Sequence, residues 1–236
     1  MRSRLGAALV AEAVGTFLFF FVGAGSVALT AGEGGPGLVG VALAHGLVLA
    51  VLVSAFGAIS GGHFDPAVTV AVRLAGRIEW SHAVLYVLAQ LGGAVAAGFA
   101  LAVVLPDPLA ADSRLGTPAL GPGIGVEAGI AIEAILTLVL VLTVFGTAID
   151  MRAPKLGGMA IGLAVAVDIL MGGPLTGAAM NPARWFGPAA VAGAWDDWYV
   201  WWIGPLIGAI VAAVLYRYVF EGEAEADVTP ATPEGV

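Results

Sequence analysis

The chain has 236 residues, of which 60% are hydrophobic and only 11% charged, with a mean hydropathy of +0.99. Less than half the charge content of an ordinary soluble domain cannot solvate a globule of this size, which excludes a soluble enzyme. Lys and Arg number 9 against 17 acids, a net charge of −8, but Glu221, Glu223, Glu225, Asp227 and Glu234 crowd a C-terminal stretch, and no basic patch for nucleic acid exists.

Cysteine is absent, so disulfides, thiolate metal sites and cysteine nucleophiles are excluded. With 3 histidines, no paired-histidine metal motif and no nucleophile–base pair, the sequence predicts no catalytic residue, no metal and no cofactor.

A bilayer core takes about 20 apolar residues per helix. Such stretches run over Gly6–Thr30, Gly37–Ile59, Ser81–Leu105, Ile124–Ile149, Leu156–Leu175 and Trp198–Tyr218. The first, after Arg2 and Arg4, is too long for a secretory signal and is read as a span. If six helices alternate, Arg2, Arg4, Arg73, Arg77, Arg152, Lys155 and Arg217 fall on one side, leaving only Arg114 and Arg184 elsewhere. The positive-inside rule then makes both termini cytoplasmic in an integral cell-membrane protein. One unit covers residues 1–220, with 221–236 an acidic, disordered cytoplasmic tail.

Two connections, Gly61–Gly76 and Gly172–Gly193, stay apolar yet are too short and too broken by Pro and Gly to span, and they read as re-entrant. They hold Asp65-Pro66-Ala67 and Asn181-Pro182-Ala183, 116 residues apart. Asp or Asn suits a helix N-cap and Pro the first helical position, so each box should start a short helix. Ala11-Glu12-Ala13 and Thr16 are echoed by Ile132-Glu133-Ala134 and Thr137, offset by 121 residues. The fold class is therefore an all-α membrane protein: six transmembrane helices plus two re-entrant half-helices, in an inverted repeat of three spans each (about 5–105 and 124–220).

Half-helices entering from opposite faces meet N-terminus to N-terminus, each contributing about half a positive charge, a field that repels cations. Non-helical backbone at that depth must line a watery cavity, where carbonyls can pass a neutral solute along.

These boxes, with Glu12, Glu133, His63 ahead of Asp65, Arg184 after the second box and Gly204-Pro205 in the last span, resemble the aquaporin, or major intrinsic protein, family over nearly the whole chain. The resemblance implies a right-handed six-helix bundle with a pore in each protomer, a homotetramer in membrane lipid, and Glu12, Glu133 and His63 supporting the re-entrant backbone. It also implies an outer selectivity filter of His45, Ile169, Ala178 and Arg184. Arg184 supplies fixed donors and a permanent charge. His45 has a second reading, since a lone helical histidine often satisfies a neighbouring backbone group.

The filter set resembles that of plant tonoplast intrinsic proteins and ammonia-permeable aquaporins. It implies a passive channel for water and small neutral solutes, ammonia first and urea or hydrogen peroxide next, with ions excluded. The alternative is a glycerol facilitator, though Trp185 stands where those carry an aspartate after the filter arginine. A proton-coupled secondary transporter, suggested by inverted repeats and intramembrane acids, is the remaining reading.

Asp65 departs from the family's Asn. It caps a helix equally well, but an ionised carboxylate cannot donate and would partly cancel the positive field. Its charge state is open on sequence grounds. Asp168 has two readings, a water-lined vestibule or a salt bridge inside the bundle. Loop Leu105–Gly123 either shapes an outer vestibule or only connects. Trp195, Trp198, Tyr199, Trp201 and Trp202 fit an interfacial aromatic belt.

Overall fold

The computed structural model describes residues 2–153 and 156–221; Lys155, the side chains of Arg2 and Arg4, and residues 222–236 with most of the expected acidic tail lie outside the described residues. In chain order the helices are α1 (Arg2–Leu29), α2 (Gly37–Ser60), α3 (Pro66–Leu74), α4 (Trp80–Val104) and α5 (Asp107–Asp112). There follow α6 (Val126–Val144), α7 (Gly157–Thr176), α8 (Pro182–Ala192) and α9 (Val200–Leu215). A 3-10 turn (Arg114–Gly116) precedes α6, and π-helical turns extend α6 over Phe145–Ile149 and α9 over Tyr216–Phe220. Among the described residues, 6 helices (α1, α2, α4, α6, α7 and α9, the π turns included) are long and apolar enough to cross a membrane. With α3 and α8 as short helices between spans, the chain is an all-helical integral membrane protein.

The expected spans agree with these helices to within a few residues at most ends, and one boundary needs correction. The second re-entrant stretch was expected from Gly172, but α7 continues through Gly172, Gly173 and Pro174 to Thr176. It stops at Gly177, whose φ of 79° closes the helix with a left-handed cap. Pro174 lies in this last turn, and Gly172 packs against Leu136 of α6.

Helix α1 packs on α2 and α4, α6 packs on α7 and α9, and α2 meets α7 across the middle. The half-helices are exchanged: α3 leans on α9 and α8 on α4. Glycines permit these approaches. A Cβ on Gly46 would lie 2.6 Å from the Gly162 carbonyl oxygen, and one on Gly93 or Gly208 would overlap the carbonyl of Ala13 or Ala134 respectively. In a membrane, where apolar burial gives helices little reason to associate, such close backbone contact supplies the packing. Gly92, by contrast, faces open space.

The outer surface is apolar: Val10, Val51 and Val103 are 63%, 64% and 83% exposed. Buried polar side chains, among them Glu12, Gln90, Glu133 and Arg184, lie inside. That inversion of a soluble protein suits lipid as the surrounding solvent. The ion pairs among the described residues, Arg77–Glu221, Arg114–Asp196 and Arg152–Asp150, involve partly exposed side chains outside the spans.

The aromatic belt also needs correction. Trp195 and Trp198 are about half exposed, but Trp201 is 1% exposed. It stacks on Trp185 at 5.6 Å between ring centroids and donates its indole N–H to the Thr176 carbonyl at 3.0 Å. A buried indole N–H needs an acceptor, and the end of α7 supplies it.

Candidate functional site

Each half-helix starts as its box dictates. Asp65 and Asn181 have extended backbones (φ −154°, ψ 122° and φ −147°, ψ 113°), with Pro66 and Pro182 in the first turn. Asp65 Oδ1 accepts from Ala67 N at 2.7 Å, and Asn181 Oδ1 accepts from Ala183 N at 2.9 Å and Arg184 N at 3.2 Å. Ala67 and Ala183 are fully buried. The caps touch across the halves, because Asn181 Nδ2 donates to the Phe64 carbonyl at 3.0 Å. Two helix N-termini thus meet head to head.

The segments leading into the caps are held from behind by the glutamates. Glu12 accepts from Ser60 Oγ at 2.6 Å, His63 N at 3.0 Å, Phe64 N at 2.7 Å and Gln90 Nε2 at 2.8 Å. Glu133 accepts from Thr176 Oγ1 at 2.6 Å, Ala179 N at 3.0 Å and Met180 N at 2.6 Å. The two sets correspond residue for residue at the 116-residue offset, except that Gln90 acts only in the first half.

These bonds offset real strain. Phe64, Ala178 and Met180 hold left-handed φ values of 50°, 45° and 54°, which cost a non-glycine residue about 1–2 kcal/mol each. Charge-assisted bonds to a buried carboxylate are of comparable or greater size. His63 adds a bond between its Nδ1 and Thr69 Oγ1 at 3.1 Å.

A cavity of about 590 Å³ runs along this seam. Arg77, Met151 and Leu156 line it near the loops between spans; Asp65, Asn181, His63 and Met180 line its middle; and His45, Ala178 and Arg184 line its other part. Val53, Leu140, Val144, Ile161 and Val165 form an apolar wall. Polar groups on one side and hydrocarbon on the other suit a column of hydrogen-bonding solutes.

Arg184 is 3% exposed and doubly tethered. Its Nη1 donates to the Gly116 carbonyl at 2.9 Å and its Nε donates to His45 Nε2 at 3.2 Å. His45 Nδ1 stands 2.9 Å from the Val41 carbonyl, so that nitrogen carries the proton and Nε2 is free to accept. Both readings of His45 therefore hold in one side chain: it satisfies a backbone carbonyl and fixes Arg184. Ala178 joins them on the cavity wall. Ile169, 2% exposed, is buried in α7 one turn beyond Val165 and is not among the cavity-lining residues.

Several contributors escaped the sequence reading. Gly116 offers its carbonyl to Arg184, so loop Leu105–Gly123 does more than connect; its φ of 74° and its approach to the Ala24 carbonyl leave no room for a side chain. Gly23 makes space for His45, whose Nε2 would lie 2.6 Å from a Cβ there. Tyr86 donates to the Ser60 carbonyl at 2.9 Å as Trp201 does to that of Thr176; the two donors stand 115 residues apart, one fewer than the caps. Asp168 is 4% exposed, with Oδ2 unpartnered; among the described residues it makes no salt bridge, and it does not line the cavity.

Six spans around two half-helices that meet cap to cap on an internal cavity are the architecture of a transmembrane channel. The chain belongs to the major intrinsic protein family, whose model matches residues 2–216. It is 47% identical to aquaporin TIP4-4 of Zea mays over 90% of this chain and 86% of the relative. It is 42% identical to aquaporin-2 of Bos taurus over 90% and 78%, respectively. The fold also matches the X-ray structure of the aquaglyceroporin from Plasmodium falciparum, with a TM-score of 0.81 at 20% identity over 94% of this chain and 99% of that one. It is an aquaporin-family membrane channel, not an enzyme.

Proposed function

We propose that this channel passes water and small neutral solutes passively, with ammonia foremost and urea and hydrogen peroxide next, and that it excludes ions. The carrying observation is the cavity, which has both caps at its middle and the tethered Arg184 farther along. Asp65, Pro66, Ala67, Asn181, Pro182 and Ala183 form the pore centre. Glu12 and Glu133 draw successive N–H groups away from the cavity, which leaves the carbonyls of those segments for the solute. His45, Ile169, Ala178 and Arg184 form the filter, with Ile169 acting from behind the wall. Small apolar Ala178, on the cavity wall, keeps it wide enough for solutes larger than water.

Arg184 carries the exclusion of cations at the filter, since its charge is permanent and its position fixed. Glycerol is a poorer fit: Trp185, directly after the arginine, is 1% exposed and stacked on Trp201, so it does not offer the carboxylate of a facilitator. We place both termini on the cytoplasmic side, with Arg77 and Arg152 in connections and Arg217 in the π-helical turn that extends α9 at that end. The repeats, about 5–105 and 124–220, make one pore per protomer, and the protomers form a homotetramer in lipid.

Stopped-flow light scattering on reconstituted vesicles tests this. Water and ammonia should equilibrate faster than through protein-free lipid, and glycerol should not. Water flux at the lipid background would overturn the channel reading, and solute accumulation driven by a proton gradient would favour a transporter.

A further inference from the structure

The two caps differ in one atom that the geometry makes consequential. Phe64-Asp65-Pro66-Ala67 and Met180-Asn181-Pro182-Ala183 have matching backbones: φ is 50° and 54° at the residue before the cap, and −154° and −147° at the cap itself. In each, Oδ1 takes the N–H of the alanine two residues on. The second side-chain atom must therefore point alike in both halves.

At Asn181 that atom is Nδ2, which donates to the carbonyl of Phe64, the residue before the opposite cap. At Asp65 it is Oδ2, a buried oxygen without a partner in a side chain only 3% exposed on the cavity wall. In the repeat, the counterpart of the Phe64 carbonyl is the carbonyl of Met180, the residue before Asn181. That carbonyl receives only a long bond of 3.3 Å from Thr137, so it retains capacity to accept. Two oxygens without a hydrogen between them repel; one proton turns the pair into a hydrogen bond.

We propose that Asp65 is a proton-binding site at the centre of the pore: Oδ2 carries a hydrogen donated to the Met180 carbonyl, and loss of that proton creates a site for a small monovalent cation there. This rests on the pore reading above. The neutral acid reproduces the donor that Asn181 has permanently and leaves the positive field of both half-helices whole. The anion, with one negative charge, cancels their combined charge of about one unit and removes the cation barrier at the pore centre. Arg184 then stands alone against cations. Exclusion is thus shared by two elements at low pH and carried by one at high pH.

The surroundings fit a neutral acid. The charged and titratable groups on the elements around the caps include Glu12 on α1, His45 on α2, His63 on the entering segment, Arg73 on α3, Tyr86 on α4, Glu133 on α6, Asp168 on α7 and Arg184 on α8. Glu12 accepts four hydrogen bonds, as an anion does, and lies behind the same segment, so a second carboxylate charge there is disfavoured. Of the other elements against α3, α4 offers the uncharged Gln90 and the Tyr86 hydroxyl, which donates to the Ser60 carbonyl, and α9 carries no ionisable side chain.

The test uses the full chain in lipid vesicles with its aspartate carboxyls carbon-13 labelled, followed by infrared spectroscopy as pH is raised. At neutral pH a protonated-acid carbonyl stretch should be present, survive in D168N, disappear in D168N/D65N, and convert to a carboxylate band on alkalinisation. Absence of such a band at neutral pH in D168N overturns the proposal. Water flux through the same vesicles separates that outcome from failure of the pore reading.

A second arm measures radioactive sodium uptake through R184A, where the filter no longer masks the centre. Uptake should rise about tenfold as the acid ionises, a barrier change of about 1.4 kcal/mol, and stay flat in R184A/D65N. Parallel pH profiles in the two variants overturn the cation site. If R184A does not assemble, the infrared arm on the otherwise intact filter decides.

Discussion

The two re-entrant segments have nearly the same skeleton and different cargo. Each is capped by an Asx side chain, strained at the residue before the cap, pinned by a buried glutamate, and braced by an aromatic donor, Tyr86 or Trp201. At equivalent positions, however, the first carries His63, Asp65 and Val68 and the second carries Ala179, Asn181 and Arg184. Apart from Gln90, the repeat conserves the support, and the varied residues His63, Asp65, Val68, Ala179, Asn181 and Arg184 line the cavity. Removal of support should therefore hurt both halves alike, whereas removal of the varied residues should act on one function only.

The largest effects belong to the glutamates. Glu12→Ala strands four donors and Glu133→Ala three, and each buried donor left unpaired costs about 1–3 kcal/mol. Both variants should lose about 3 kcal/mol or more and lose water flux, with Glu12→Ala the worse, in thermal unfolding of the detergent-solubilised protein. Wild-type unfolding in either variant would show that the strained φ values are held by something else.

Gln90 sharpens the comparison because Pro205 occupies its place in the second half. It donates to Glu12 at 2.8 Å and to Thr69 at 2.9 Å. Gln90→Leu should cost about 1.5–3 kcal/mol, the range for bonds to a charged partner, and should bring the effects of removing Glu12 and Glu133 closer together. Additive losses in Gln90→Leu/Glu12→Ala would break that link.

Next comes the second half's own cargo. His45→Ala takes away one of the two tethers of Arg184, leaving the Gly116 carbonyl. Urea permeability relative to water should rise about tenfold in stopped-flow measurements, equivalent to about 1.4 kcal/mol of barrier. Val68→Ala, at the Arg184 position of the first half, should leave that ratio where it is.

The spans, the caps and the glutamates were legible because each is written in adjacent residues and then written again at a fixed offset. A long apolar run has one reading in lipid, and an Asx-Pro step has few. The tethers of Arg184 were not legible, since its partners His45 and Gly116 lie 139 and 68 residues away and the latter contributes only a backbone oxygen. Trp201 was misread for a related reason: composition places tryptophan at an interface, but only packing reveals which indole turns inward. Ile169 matched by alignment, yet the cavity wall excludes it, because helical register fixes the stripe and not the depth.

The smallest effect lies within the second half, in the connection between α6 and α7. Asp150 accepts from Arg152 at 2.7 Å and 3.0 Å and from the Tyr216 hydroxyl at 2.7 Å, which ties this connection to the last helix. The Arg152 bonds first, and the tyrosine next, hold the Asp150 carboxyl below its ordinary value. A carboxyl with a depressed folded value contributes stability that is fully present above its unfolded value, about 3.9, and is lost as pH falls through the folded one. Unfolding temperature should therefore drop more steeply in acid for the wild-type chain than for Asp150→Asn, while the two variants run parallel above about pH 5. The effect should be small, since Arg152 is largely solvated and such pairs are screened. Identical acid limbs would mean that α6, α7 and α9 are held together by helix packing alone, and that this tie contributes nothing to the second half.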